Sequence, residues 1–265
     1  MTGQATHSTL SRTVLLSVRG LAKSFGGVQA VRGVDFEVGA GELLALIGPN
    51  GAGKSTCFNM INGQIRPDQG SIRLGNPDHS KELVGLTPRK VWRLGVGRTF
   101  QIAAVFGSMS VIENVQMALL SHARELHEFW RPARAQHRAQ ALELLDAVGL
   151  ADQATLPVAT LAYGQVKAVE LAVALANQPR LLLMDEPTAG MAPAERVALM
   201  ALTRRLVTER GTSVLFTEHS MDVVFAFADR VVVLARGEVI AQGSVTAVRQ
   251  DPRVREAYFG SGRLT

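Results

Sequence analysis

The stretch GPNGAGKST, residues 48–56, follows the apolar run ELLALI of residues 42–47. An apolar run of this length predicts a strand that is buried on both faces of a parallel sheet. The segment KSTCFNMIN, residues 54–62, predicts a short helix directly after the glycines. Because glycine allows backbone torsions that are closed to other residues, successive N–H groups of the loop can point toward one centre. The sequence therefore predicts a strand, an anion-binding loop and a helix, in this order.

The spacing G-x-x-x-x-G-K-S within this stretch is the pattern of a phosphate-binding loop. Lys54 brings a full positive charge for the terminal phosphates of a nucleotide, and the Ser55 hydroxyl can ligate Mg²⁺. A glycine-rich turn that only caps a helix is the alternative, and the strand-to-helix context argues against it. We expect nucleotide contacts from Pro49, Asn50, Gly51, Ala52, Gly53, Lys54, Ser55 and Thr56.

Length and composition limit the class of protein. The 265 residues are 47% hydrophobic, which suits one large α/β domain or a core with a smaller subdomain, and excludes wholesale disorder. No apolar stretch approaches the ~20 residues that span a bilayer, and residues 1–13 lack the basic-then-apolar pattern of a secretion signal. Cys57 is the only cysteine, so we expect a buried thiol in a cytosolic protein.

The net charge of +5 is compatible with binding to nucleic acid or to an anionic membrane surface. The charged residues are spread along the chain, however, and their densest group is RPARAQHR at residues 131–138. A solvated helix face explains this group without any partner. We therefore expect no nucleic-acid partner.

A second apolar run that ends in charge is LLLMDEP, residues 181–187. Its four large apolar residues predict a central parallel strand, which places Asp185 and Glu186 at the carboxyl end where open α/β sheets bind ligands. An acid at the tip of a buried strand is costly unless a positive group compensates it. We expect Asp185 to hold Mg²⁺ through water and Glu186 to polarise an attacking water. An acidic turn before a proline is the alternative.

The stretch TSVLFTEHS, residues 212–220, repeats this arrangement, with an apolar strand followed by polar residues and His219. A lone histidine at a strand end usually has a structural role. Here it would lie on the same sheet edge as the phosphate-binding loop, so we interpret His219 as a sensor of the γ-phosphate.

The stretch LAYGQVKAVELAVALANQP, residues 161–179, leads directly into the strand that carries Asp185. Apolar residues at positions 166, 169, 173 and 176 predict a helix with one core-facing stripe. The polar turn before it leaves the helix N-terminus exposed, and this N-terminus is a second anion site.

The order of these motifs resembles the ATP-binding cassette (ABC) family, over nearly the whole chain. The resemblance adds Phe25, in KSFGG, as the aromatic that stacks on adenine, and Gln101, in GRTFQ, as the Q-loop residue that assists catalysis and ligates the metal. AGMAP at residues 189–193 matches the D-loop. The family signature, which contacts the nucleotide of a partner subunit, corresponds to Leu161, Ala162, Tyr163, Gly164 and Gln165. Ala162 departs from the usual serine and removes one hydroxyl donor.

Shorter motifs resemble the ATPases of branched-chain amino-acid importers and their amide or urea relatives: GVGRTFQ, AGMAP, TEHSMDVVF and VREAYFG. The resemblance implies an ATPase that uses ATP and Mg²⁺ to energise transport. It implies a second ATPase subunit (the same chain or a homologue), transmembrane permease subunits and, indirectly, a solute-binding protein. The location implied is cytoplasmic, peripheral on the inner face of the cell membrane. A soluble ABC ATPase of a cofactor-assembly or other non-transport system is the alternative.

The resemblance also implies the organisation of the chain as a single ABC ATP-binding domain. We expect an α/β fold of the P-loop NTPase type, in which a mainly parallel core sheet is joined by an antiparallel β subdomain and an inserted helical subdomain. The predicted boundaries are 14–101 and 166–250 for the core, 102–165 for the helical subdomain with helices in 109–130 and 134–150, and 1–13 and 251–265 for terminal tails. The antiparallel piece is expected near 14–39 and 70–74. Phe106, Phe129 and Trp130 are candidates for contact with a membrane partner, and packing inside the subdomain is the alternative.

Overall fold

A mainly parallel sheet forms the centre of the protein. The structure is a computed structural model that describes residues 13–99, 105–123 and 137–259. Within these residues the sheet has six strands in the order β10-β9-β3-β8-β7-β6, of which only β10 runs antiparallel to its neighbour. The strands are β3 (Leu43–Ile47), β6 (Val96–Thr99), β7 (Leu181–Asp185), β8 (Ser213–Thr217), β9 (Arg230–Ala235) and β10 (Glu238–Ser244).

The apolar runs of the sequence form the central strands, as predicted. Every residue of β3 and β8 is buried, and so are the first four of β7. The register pairs Ala45 with Phe216, and Asp185 with Thr217. Because these strands are parallel, their carboxyl ends meet at one edge of the sheet, where the motif residues follow.

An antiparallel sheet packs on one face of the central sheet. Its strand order is β2-β1-β4-β5, and the strands are β1 (Val14–Phe25), β2 (Val28–Gly39), β4 (Gln69–Leu74) and the short β5 (Lys81–Glu82). Helix α1 (Lys54–Ile61) shares an apolar core with both sheets, to which Phe36, Leu46 and Phe58 contribute. The predicted antiparallel β piece is confirmed, and β5 is added to it.

Helix α2 (Pro88–Arg93) packs with α1 and the antiparallel sheet, since Val91 belongs to their apolar core. The other helices cover the opposite face of the central sheet. They are α3 (Val111–Ala123), α4 (Arg138–Ala147), α5 (Tyr163–Leu175), α6 (Pro193–Arg210), α7 (Met221–Phe227), α8 (Val245–Gln250) and α9 (Pro252–Phe259). Single 3₁₀ turns occur at Pro77–His79, Ala151–Gln153 and Val158–Thr160. The two helices predicted within 109–130 and 134–150 are confirmed as α3 and α4, and residues 124–136 lie outside the described part. The subdomain boundaries at residues 101 and 165 stay a prediction.

Helix α5 is buried more completely than one apolar stripe predicts. Val169 and Ala176 lie in the core, but the charged side chains of Lys167 and Glu170 are buried as well, with exposed fractions of 3% and 4%. Lys167 Nζ donates to Glu170 Oε2 over 3.1 Å, so the two charges compensate each other inside the protein. The stripe prediction was too narrow because α5 packs against α3, α4 and α6 as well as the sheet.

After the hairpin of β9 and β10, the chain folds back as two short helices, α8 and α9. The tail predicted from residue 251 therefore begins with helix α9. Among the described residues, no helix combines the length and the apolar character needed to cross a bilayer.

Candidate active site

The loop between β3 and α1 needs glycine at two positions, because a side chain would clash there and because the backbone torsions suit glycine. A Cβ atom added to Gly48 would lie 2.2 Å from the carbonyl oxygen of Leu234 in β9. One added to Gly53, which has a left-handed φ of 103°, would lie 2.6 Å from the carbonyl oxygen of Ala30 in β2. Contacts this short exclude any side chain, so the loop is held between the two sheets by its backbone.

Lys54 folds over this loop and is almost fully buried, with an exposed fraction of 6%. Its ammonium group donates to the carbonyl oxygens of Gly48, over 2.7 Å, and Pro49, over 3.1 Å. Burial lowers the pKa of Lys54, while the nearby carboxylates of Glu186 and Asp185 act in the opposite direction. Because both carboxylates act on the charge of Lys54, the glycine loop and the two acids belong to one site.

The loop residues around Lys54 offer their groups to solvent. Ser55, Asn50 and Gly51 are exposed, Pro49, Gly53 and Thr56 are half-buried, and Ala52 is buried. The Ser55 hydroxyl is therefore accessible to a ligand at the start of α1.

Thr217 connects the two acids that follow β7. Its hydroxyl donates to Asp185 Oδ1 over 2.7 Å and accepts a hydrogen bond from the Glu186 backbone N–H over 3.0 Å. Since Thr217 is fully buried at the end of β8, it fixes the Asp185 carboxylate and the Glu186 backbone together. The sequence analysis missed this residue, whose only signal was its place directly before Glu218 and His219.

Glu186 and His219 contact each other across the edge of the sheet. His219 Nε2 lies 2.9 Å from Glu186 Oε1, and both side chains keep some exposure to solvent, 49% for His219 and 21% for Glu186. Glu186 also has a left-handed backbone φ of 48°, which is unfavourable for a non-glycine residue. Such strain is typical of functional sites, where surrounding contacts hold it in place.

Arg98, at the end of β6, is a second residue that the sequence analysis missed. Its guanidinium lies 3.4 Å from Asp185 Oδ2 and donates to Asn59 Oδ1 and Gln64 Oε1, over 2.8 Å each. Burial lowers the pKa of Arg98, and Asp185 counteracts this effect. Arg98 thus joins the edge strand to α1 and places a positive charge beside Asp185.

Glu218 connects the segments on either side of this centre. It is buried, and its carboxylate accepts hydrogen bonds from the Thr188 hydroxyl and from the N–H groups of Thr188, over 3.0 Å, and His219, over 3.1 Å. The segment directly before the predicted D-loop and the His219 loop are therefore linked by one side chain.

The signature residues begin α5 beside the start of α6. Ala162 is the N-cap and forms no side-chain hydrogen bond, while its own N–H donates to Gln165 Oε1 over 3.0 Å. Gly164 leaves room for Glu195, since an added Cβ would lie 3.1 Å from Glu195 Oε1. Tyr163 and Ala162 are exposed, and Leu161 is half-buried.

Phe25 lies at the end of β1 with 46% of its surface exposed, which leaves the ring accessible. The Lys23 ammonium is 5.6 Å from the ring centroid. Phe106 is 61% exposed. Gln101, Phe129 and Trp130 lie outside the described residues.

The donor set suits Mg²⁺. The accessible Ser55 hydroxyl and the Asp185 carboxylate, held by Thr217, are hard oxygen donors of the kind that Mg²⁺ prefers. The described part of the chain contains no cluster of three or more His, Cys, Asp and Glu side chains that could hold a metal. An ion bound here would complete its coordination with water and substrate phosphates, as is usual for Mg²⁺.

A glycine loop with a buried lysine, beside two acids and a histidine at the carboxyl edge of a parallel sheet, defines a P-loop nucleotide-binding protein. Comparison with known proteins narrows this class. Residues 31–189 match the family described as ABC transporter, and residues 238–263 match the family described as branched-chain amino acid ATP-binding cassette transporter.

Two relatives match over almost their full length. The high-affinity branched-chain amino acid transport ATP-binding protein BraF of Pseudomonas aeruginosa is 38% identical over 253 residues, which cover 93% of this chain and 98% of BraF. LivG of Escherichia coli, which has the same description, is 37% identical over 254 residues, which cover 93% of this chain and 98% of LivG.

Solved structures agree with these matches. The ADP conformation of MJ1267, an ATP-binding cassette of an ABC transporter, superposes with a TM-score of 0.83 at 30% identity, covering 94% of this chain and 99% of MJ1267. The dimeric structure of MJ0796, a bacterial ABC transporter cassette, gives 0.72 at 26% identity, covering 87% of this chain and 99% of MJ0796.

The chain belongs to the ABC transporter ATP-binding proteins, in the branched-chain amino-acid transport branch that contains BraF and LivG. It is therefore an ATPase coupled to transport, and its fold is the ABC cassette. The recognition of the family and the fold class predicted from the sequence are confirmed.

Proposed function

We propose that this chain is the motor subunit that powers the import of branched-chain amino acids or a related small solute. The contact between Glu186 and His219, on the sheet edge that also holds Lys54, carries the ATP-hydrolysing part of the proposal. The proposed solute follows from the similarity to BraF and LivG, which are branched-chain amino acid transport proteins, and from the family that residues 238–263 match.

In this proposal the glycine loop and Phe25 bind the nucleotide. The exposed ring of Phe25 stacks on adenine, and the backbone amides from Pro49 to Thr56 surround the phosphates. Lys54 exchanges the carbonyl oxygens of Gly48 and Pro49 for the terminal phosphate oxygens. The exchange is favourable because a phosphate oxygen carries more negative charge than a carbonyl oxygen.

Ser55 and Asp185 would hold Mg²⁺, the latter through water, together with Gln101. Bound there, the ion would neutralise the charge on the phosphates during transfer. Thr217 and Arg98 prepare the Asp185 carboxylate for this role, since one donates to Oδ1 and the other lies beside Oδ2.

Glu186 orients the attacking water and accepts its proton on a carboxylate oxygen. His219 holds that carboxylate through Nε2 and lies where the γ-phosphate ends. The backbone strain at Glu186 is maintained by the hydrogen bond from its N–H to Thr217, so the carboxylate is positioned before the substrate arrives.

Signature residues Leu161 to Gln165 act on the nucleotide of a second ATPase subunit. The uncapped start of α5 presents amide groups to solvent, and these groups favour an anion. Permease subunits carry the solute, a solute-binding protein delivers it to them, and this chain works in the cytoplasm on the inner face of the membrane.

Uptake in cells tests the proposed solute. In the native host, deletion of the gene for this chain should reduce the uptake of radiolabelled leucine, isoleucine and valine. The wild-type chain and the surface variant Glu209→Gln should restore uptake, whereas Glu186→Gln should not. Uptake of all three amino acids that is unaffected by the deletion would refute branched-chain amino acids as the solute and leave the related small solute.

A pull-down from detergent-solubilised membranes tests transport itself. The tagged chain should co-purify with proteins that span the membrane several times. Exclusively soluble partners would instead favour a cofactor-assembly ATPase.

A further inference from the structure

Glu218 is a buried carboxylate between the loops that follow β7 and β8, with 3% of its surface exposed. Its Oε1 accepts hydrogen bonds from the hydroxyl of Thr188 and, over 3.0 Å, from the N–H of the same residue. Its Oε2 accepts hydrogen bonds from the N–H groups of His219, over 3.1 Å, and Ser220, over 3.4 Å. These four donors compensate for the burial of the carboxylate, which would otherwise be costly.

Glutamine cannot replace this carboxylate, although it has the same shape. The amide has one acceptor oxygen, and its NH₂ group is a donor. Whichever way the amide is turned, its NH₂ group would face either the N–H of Thr188 or the N–H groups of His219 and Ser220. The position therefore requires two acceptor oxygens, one for each loop.

Arg196, on α6, connects the same two loops a second time. Its Nε donates to the carbonyl oxygen of Met191 over 2.8 Å, and its guanidinium donates to Ser220 Oγ over 3.4 Å. Ser220 is the N-cap residue of α7, so the start of this helix is tied to the segment that precedes α6. Two side chains, Glu218 and Arg196, thus hold the loop after β8 against the loop after β7.

Glu186 is fixed without Glu218. Its N–H donates to the Thr217 hydroxyl over 3.0 Å, and its carbonyl oxygen accepts a hydrogen bond from the Ala189 N–H over 3.1 Å. His219 is held at its backbone N–H by Glu218 and at its ring by Glu186, while 49% of its side chain is exposed. The place of the imidazole therefore depends on Glu218 more than the place of the Glu186 carboxylate does.

We propose that Glu218 is a positioning residue that holds His219 against the Glu186 carboxylate, with Thr188 as its support. Thr188 is 2% exposed and follows Glu186 by two residues, so Glu218 fixes the His219 backbone relative to the turn that begins at Glu186. Displacement of the imidazole lowers the turnover, because a shift of about 1 Å in a site can cost about 10²-fold in rate. This inference rests on the proposed roles of Glu186 and His219 in ATP hydrolysis.

The variant Glu218→Gln should lower kcat for ATP by about 10- to 100-fold. The KM for ATP and the dissociation constant for Mg-ATP should change less than twofold, because the glycine loop and Lys54 are untouched. Glu209→Gln, on the exposed face of α6, is the control and should leave all three constants unchanged. A loss of nucleotide affinity by the same factor as kcat would mean that Glu218 shapes the binding site, and would overturn the proposal.

Thr188 offers a milder pair of variants in case Glu218→Gln does not fold. Thr188→Val keeps the shape of the side chain and removes one of the four donors, so kcat should fall about three- to tenfold. Thr188→Ser keeps the hydroxyl and should stay within twofold of the wild-type kcat. Thr208→Val, at an exposed position of α6, is the matched control. Equal turnover in the valine and serine variants of Thr188 would contradict the supporting role of the hydroxyl and overturn the proposal.

A double-mutant cycle separates this inference from the proposed function. If Glu218 acts through His219, Glu218→Gln should lower kcat by less than about threefold in a His219→Ala background, since the residue that it positions is already absent. A loss as large as in the wild-type background would overturn the positioning role alone. Wild-type turnover in His219→Ala itself would refute the proposed role of His219, and this inference with it.

Discussion

His219 Nε2 lies 2.9 Å from Glu186 Oε1, although the two residues follow different strands of the central sheet. Strands β7 and β8 are neighbours with Asp185 opposite Thr217, and this register brings the residues after them together. The carboxylate is therefore restrained by a side chain from the next loop as well as by its own strained backbone.

Replacing Glu186 with glutamine should separate binding from turnover. The amide keeps the shape of the side chain but cannot accept a proton from water, so we expect kcat to fall by about 10²- to 10⁴-fold. The affinity for Mg-ATP should stay within a few-fold, since the residues that hold phosphate and metal are unchanged. Steady-state ATPase assays and nucleotide titration measure the two effects, with Glu209→Gln on the exposed face of α6 as the control. Turnover within a few-fold of the wild type would exclude Glu186 as the catalytic base.

Lys54→Ala should lose nucleotide affinity. The variant removes the charge that meets the terminal phosphates and leaves the carbonyl oxygens of Gly48 and Pro49 without their donor. A charged hydrogen bond contributes about 1.5–3 kcal/mol, so affinity should fall by at least about tenfold. Lys90→Ala, an exposed lysine on α2, is the control in the same titration. Affinity equal to that of the control would contradict the assignment of the phosphate-binding loop.

Phe25→Ala should lower the affinities for ATP and for GTP by similar factors. Stacking uses the π-face that every base has, and it contributes about 1–3 kcal/mol per base. The ring is 46% exposed, so its removal should change the melting temperature of the nucleotide-free protein very little. Val197 is another exposed apolar residue, and Val197→Ala is the control for the loss of an exposed apolar side chain. A large loss of thermal stability with unchanged affinity would instead assign Phe25 to the core.

The signature should act in trans between two copies. In the Glu186→Gln background with Mg-ATP we expect a dimer by sedimentation and, without nucleotide, a monomer. Adding Gly164→Asp should abolish the dimer, because the new carboxylate opposes a phosphate and also lies beside Glu195.

Ala162→Ser in the same background should strengthen the dimer by about 1 kcal/mol, the value of one neutral hydrogen bond. Serine is also a better N-cap for α5 than alanine, so it should raise the stability of the monomer by a similar amount. Melting of the nucleotide-free protein separates the two effects. A dimer that forms without ATP, or that tolerates Gly164→Asp, would refute the action in trans.

Cys57 should make the protein less stable at alkaline pH. Burial raises its pKa to about 12, above the value of ~8.5 for an unfolded thiol. The folded state therefore retains a proton that the unfolded state loses between these two values. Below pH ~8.5 the thiol does not reduce the free energy of unfolding. Above this pH, the thiol lowers the free energy of unfolding by about 1.4 kcal/mol per pH unit.

Urea unfolding at pH 7.5, 9 and 10 measures this dependence, and Cys57→Ala is the comparison. The free energy of unfolding of the wild type should decline more steeply than that of the variant. Parallel pH dependences would show that the thiol ionises equally well in both states.

The sequence was sufficient to predict the strands that are followed by functional residues. It was insufficient to predict the contacts between those residues. Asp185 and Glu186 could be placed because an apolar run ends at an acid, and the glycine loop could be placed because its spacing is distinctive. The double role of Thr217 depends on the register between β7 and β8, and sequence patterns do not determine register. Arg98 and Glu218 were missed for the same reason, since their partners come from other elements.

Two further differences arise from packing. The charges of Lys167 and Glu170 look like surface residues in the sequence, but they are buried as a pair because α5 is enclosed by other helices. Tyr258 belongs to a segment that was predicted as a tail, and its ring packs against the apolar cluster below the sheet because α9 folds back on it. Local periodicity carries no information about either arrangement.

The position of β3 in the sheet has a consequence for biosynthesis. Its neighbours on the two sides are β8 and β9, which belong to the last quarter of the chain. A ribosome needs roughly 10–30 s to reach them after it has made β3, and during this time the segment Leu43–Ile47 has no strand to pair with. A nascent chain that stops before residue 213 carries the complete glycine loop on an unpaired apolar strand. Such a chain exposes apolar surface and an unpaired strand edge, which chaperones and proteases recognise.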